Sequence, residues 1–105
     1  MEAITLGKLI EVLESVEPSQ QVPLGFHNPH SYRGYYHCLG FEPLEETTVG
    51  EMLDCCKKAN GEIFYGWKGG EYKMSLDTEC YLSEIGDVGE PLTPTLVKYM
   101  CSYYG

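Results

Sequence analysis

The sequence predicts an α+β fold: two helices packed in two layers on a mainly antiparallel sheet of about four strands. Three recurrences point there. Two helix starts share a pattern 43 residues apart, Thr5-Leu6-Gly7-Lys8-Leu9-Ile10 and Thr48-Val49-Gly50-Glu51-Met52-Leu53. Each is followed by a short aromatic β segment with a central glycine, Leu24-Gly25-Phe26 and Tyr65-Gly66-Trp67. Each half then carries an aromatic–basic–glycine triplet, Tyr32-Arg33-Gly34 and Trp67-Lys68-Gly69. The chain therefore reads as one domain, 1–105, with pseudo-duplicated α-β-β units at about 5–42 and 48–86 and a C-terminal extension, 91–105.

The first helix has Thr5 as its N-cap, because a Thr hydroxyl accepts a bond from an otherwise unpaired first-turn N–H. Leu6, Leu9, Ile10, Leu13 and Val16 follow helical spacing, and the helix should end before Pro18. In the second helix Thr48 and Glu51 have the spacing of a capping box, while Lys8 denies that box to the first. Val49, Met52, Leu53, Cys56 and Ala59 form its buried stripe, and Asn60-Gly61 suits a left-handed end. A further strand is expected after each triplet, around 35–41 and around 80–85, from aromatic and β-branched segments punctuated by glycine. Past Pro91-Leu92-Thr93-Pro94, the tail from Thr95 to Tyr104 suits a short helix that covers the sheet or meets a second subunit.

Composition narrows the function classes. With 43% apolar and 22% charged residues in 105, the chain is a globular domain with one core. A net charge of −9 argues against binding nucleic acid through its phosphates and against anionic membranes. It leaves room for an acidic protein that occupies a partner's basic groove. No apolar run approaches 18 residues and the N-terminus lacks a secretory pattern, so neither a membrane span nor a signal is expected. The five cysteines, Cys38, Cys55, Cys56, Cys80 and Cys101, form no C-x-x-C pair and suit reduced thiols in a cytoplasm.

The charge is unevenly spread. From Pro18 to Phe41 there is no Asp or Glu, although the chain has 16 acids, and this stretch holds all three histidines and the only arginine. Arg33 is the sharpest candidate, since a guanidinium grips phosphate or carboxylate with two bonds. Gly34 would let a ligand approach the backbone. His30, Tyr32 and Tyr35 add donors and flat faces for a base or sugar. In the second half Trp67, Lys68, Gly69, Tyr72 and Lys73 supply the matching set. A structural reading stands beside this one: Arg33 stacked on tyrosine and paired with an acid, and Gly69-Gly70 as an ordinary turn. Neither loop matches a Walker or dinucleotide glycine motif. No metal site or cofactor is expected, because Asn28-Pro29 interrupts His27-x-x-His30 and the spacing is not that of structural zinc. No catalytic residues are assigned, as no nucleophile elbow is present.

His30-Ser31-Tyr32-Arg33-Gly34-Tyr35-Tyr36, followed by Thr48-Val49-Gly50-Glu51-Met52-Leu53 and Gly66-Trp67-Lys68-Gly69-Gly70-Glu71-Tyr72-Lys73-Met74, resembles a group of small proteins encoded by bacteriophages and prophages. That resemblance spans Thr5 to Ile85. It implies an accessory protein acting in the cytoplasm of a bacterial host, including against host defence, but no mechanism. Joined to the residues, it suggests a non-catalytic protein that binds an anionic small molecule, such as a nucleotide signal, through its aromatic-basic loops. The alternative is an acidic inhibitor of a host enzyme, imitating nucleic acid. A homodimer is favoured, because a subunit of this size has little room to enclose a nucleotide and the tail carries Tyr99, Tyr103 and Tyr104.

Overall fold

A computed structural model describes residues 3–32, 35–66, 69–84 and 87–101, with Tyr32, Tyr35, Tyr36, Glu84, Asp87 and Val88 described by their backbone alone. The order of elements is α1 (Leu6–Glu14), β1 (Gln21–Tyr32), β2 (Tyr35–Thr48), α2 (Val49–Ala59), β3 (Ile63–Tyr65), β4 (Glu71–Lys73), β5 (Cys80–Glu84), β6 (Asp87–Pro91) and α3 (Pro94–Cys101). One sheet has the order β1-β2-β5-β6, and β3-β4 forms a separate two-stranded sheet. Among the described residues only the β2–β5 pairing is parallel. This is the α+β architecture the sequence predicts, with a third helix formed by the tail.

Both helix starts are capped as the sequence requires. Lys8 N donates to Thr5 Oγ1 at 3.3 Å, and Glu51 N to Thr48 Oγ1 at 3.2 Å. The capping box is only half built, because the Glu51 carboxylate accepts from the Thr47 hydroxyl instead (2.8 Å). Each start also receives a crossing loop: Gly7 N donates to Leu76 O (2.8 Å) and Gly50 N to Pro18 O (2.9 Å). A Cβ at Gly7 would stand 3.1 Å from Leu76, and one at Gly50 3.2 Å from Pro18 O, so both glycines serve close approach. The shared Thr-x-Gly pattern thus encodes a capped helix with a loop laid across its first turn. Thr48→Ala should lower unfolding free energy by about 0.5–2 kcal/mol, read by urea denaturation.

The sequence expectation needs one correction in the second unit. The strand after its triplet is β4, not the segment around Cys80. Gly69 and Gly70 both have positive φ (93° and 91°) just before β4, and β3 pairs with β4 in a hairpin of three-residue strands. The Cys80 segment becomes β5 and runs parallel to β2, with Leu39 opposite Cys80. What recurs is a helix followed by an antiparallel hairpin, long in the first unit and short in the second.

The first hairpin is longer than the short expected strands, with 12 residues in β1 and 14 in β2. Its prolines fall where a missing N–H is harmless: Pro23 and Pro29 on the edge strand, and Pro43 beyond the Leu39–Phe41 stretch that pairs with β5. The core lies between the sheet and the helices. Leu6, Leu9, Leu13, Val22, Phe26, Leu39, Phe41, Val49, Met52 and Cys56 are all fully buried in it. Val12, omitted from the expected stripe of α1, is also buried, whereas Ile10 and Leu53 are half-buried. α3 is capped by Thr93 Oγ1, which accepts from Leu96 N (3.2 Å), and it buries Val97, Met100 and Cys101 while packing on α1 and β1. Its Tyr99 is exposed. No helix among the described residues is long and apolar enough to cross a membrane.

Candidate ligand-binding site

The two triplets occupy equivalent places. Tyr32 pairs with Tyr35, so the first triplet straddles the junction of β1 and β2. Tyr65 pairs with Glu71, and Gly66 N donates to Gly70 O (3.0 Å), so the second straddles the junction of β3 and β4. Arg33, Gly34, Trp67 and Lys68 themselves lie outside the described residues. Of the other site residues, His30 is exposed on β1, and Gly69, Tyr72 and Lys73 are exposed on the second hairpin.

Helix α2 connects the open end of the first hairpin to the start of the second. β2 passes straight into α2 at Thr48–Val49, so α2 runs back along the sheet. Near its end Cys56 is buried in the same core as Cys80, the partner of Leu39. The second hairpin starts four residues after α2 ends, and β4 contacts β2.

The surroundings of the histidines depart from what the linear sequence suggests. The stretch without acids is not free of them in space. Antiparallel pairing sets Glu42 opposite His27, and its carboxylate also reaches His30. His27 Nε2 stands 3.8 Å from Glu42 Oε2, His30 Nε2 stands 3.4 Å from Oε1, and Asn28 Nδ2 donates to Oε2 at 3.3 Å. Sequence reasoning missed Glu42 because it lies one residue beyond the acid-free stretch; the hairpin register was the signal that could have found it. Among the described residues no group of three or more His, Cys, Asp or Glu is arranged to hold a metal ion.

Two concavities lined by described residues lie away from the triplets. One of about 540 Å³ is lined by Gln21, Val22, Pro23 and Glu46, at the far end of the first hairpin. The other, of about 360 Å³, is lined by Pro43, Leu82, Ser83 and Glu90. Each has a carboxylate in its wall, which disfavours an anionic occupant.

The thiols are all free. Burial, reinforced by the neighbouring Cys80 and Cys55, pushes the Cys56 thiol far up, while Cys55 beside it is only half-buried. A thiol alkylates as its thiolate, so Cys55 should react ahead of Cys56 in the native protein. Peptide mapping after a short exposure to iodoacetamide checks this, and equal labelling would contradict the packing of α2. Comparison with protein-family models, curated protein sequences and solved structures gave no match.

Proposed function

We propose that this is a non-catalytic accessory protein, of the phage or prophage kind its motifs resemble, that binds a phosphate-bearing small molecule between its two aromatic-basic hairpins. One observation carries the reading: each triplet falls at the junction of an antiparallel hairpin, and β4 of the second hairpin contacts β2 of the first. Arg33 grips phosphate with its two-pronged guanidinium, and Lys68 and Lys73 add charge. Tyr32, Tyr35, Trp67 and Tyr72 offer stacking faces, and His30 a further donor. A nucleotide signal made by host defence has this chemistry, and its sequestration in the host cytoplasm needs no catalytic group.

The net charge of −9 favours a second reading, an inhibitor that lays its acidic surface on a basic host enzyme. Mass spectrometry of small molecules released from the purified protein, after incubation with bacterial extract, separates the two. Retention of a nucleotide supports the first. No retained small molecule, with a host protein held stoichiometrically, supports the second. Size-exclusion chromatography with light scattering decides whether one chain or two enclose the ligand.

A further inference from the structure

The Asn28 bulge places two histidines on one carboxylate. Residues three apart on a regular strand face opposite sides of a sheet, so His27 and His30 should not meet. Here the β1–β2 register slips between His27 and Pro29, and Asn28 takes a left-handed φ of 42°. Asn is among the few non-glycine residues that tolerate this conformation, which strains the backbone elsewhere. After the slip, His27 pairs with Glu42 and His30 with Gly40, both on the face opposite the core residue Phe41. The two imidazoles then address different oxygens of Glu42, at 3.8 and 3.4 Å.

We propose that this trio is a proton-operated charge switch on the arm that presents Arg33, so that acidification strengthens anion binding. The proposal rests on the anion-binding reading above and specifies its regulation. With neutral imidazoles the arm from Pro18 to Glu42 carries one arginine against one glutamate; with protonated ones it gains three positive charges. Histidine changes charge between about pH 5 and 8. Protonated His27 and His30 neutralise Glu42 and leave the arm cationic in an otherwise acidic protein. Across the same face the next ionisable groups are Tyr81 of β5, opposite Gly40, and Glu79, whose Oε1 lies 3.5 Å from the Tyr81 hydroxyl. Pro91 of β6, opposite Tyr81, brings no charge. The exposed His37 lies on β2 itself. Glu79 lies at the far side of the row, so the gain is confined to the hairpin.

The test is calorimetric titration with a dinucleoside monophosphate, whose single phosphodiester keeps its charge across the range. Binding is measured at about pH 8 and about pH 5.5 at constant ionic strength. Affinity should rise about three- to tenfold on acidification, the scale for two or three screened charges roughly 10 Å from an anion. His27→Asn should leave the affinity at the higher pH unchanged and reduce the gain, and the His27→Asn/His30→Asn pair should remove most of it. By linkage, bound ligand must shift the NMR titration of the His27 ring to higher pH, which a merely structural contact would not do. Equal affinity at both pH values, or a full gain in the double variant, overturns the switch while the binding reading stands. No binding at either pH overturns both.

Discussion

Phe41→Ala should cost about 3–5 kcal/mol of stability, the range for removing a fully buried aromatic side chain. Phe41 is wholly inaccessible and stacks at a tilt on Phe26, with ring centroids 4.7 Å apart and planes at 54°. Tilted pairs at this separation add about 0.5–1.5 kcal/mol to simple burial. The position also ties three strands: Phe41 pairs with Pro29 on β1 and Leu82 on β5, and its carbonyl accepts from the buried Ser83 hydroxyl at 3.0 Å. A domain of this size has about 5–15 kcal/mol in total, so the variant should be marginal at room temperature. Urea denaturation reads the loss, and a change below about 1 kcal/mol, the level of ordinary surface substitutions, would contradict this core. Phe41→Leu, which keeps most of the apolar volume, should recover part of the loss and separate packing from strand pairing.

Arg33→Ala should weaken nucleotide binding by about 1.5–3 kcal/mol, the worth of charge-assisted hydrogen bonds, with little change in melting temperature. Arg33→Lys keeps the charge and loses the flat fork, so it should fall between the wild type and Arg33→Ala. Lys58→Ala, on the exposed side of α2, should leave binding unchanged and serves as the control. If Arg33→Ala unfolds the domain and Arg33→Lys rescues it, Arg33 is a structural ion pair, and the acidic-inhibitor reading gains.

Local signals carried the helices. The caps at Thr5 and Thr48 and the apolar stripes depend on residues within a few positions, and both were legible. Pairing between distant segments was not. Gly69-Gly70 was read as a turn, yet nothing local says that the turn closes a hairpin of three-residue strands rather than leading to Cys80. The length of β1 and β2 was hidden by Pro23, Pro29 and Pro43, which argue against strands unless an edge or an unpaired flank accommodates them. The same limit applied to the site. Counting acids along the chain singled out 18–41, but only the register His27–Glu42 shows that a carboxylate sits among its histidines. The aromatic-basic triplets were legible as motifs, but that each falls at a hairpin junction emerges only from the pairing of Tyr32 with Tyr35 and of Tyr65 with Glu71.

A single site built from both hairpin junctions is the core of the functional proposal, and amide chemical-shift mapping tests it most directly. A nucleotide panel is titrated into uniformly ¹⁵N-labelled protein. One ligand should shift amides of both hairpin junctions together, Tyr32 to Tyr36 and Gly66 to Lys73, along a single saturation curve, leaving Gln21, Val22 and Glu46 unmoved. Saturable shifts confined to one hairpin, or centred on the cleft at Gln21–Pro23, would contradict a single site built from the two halves.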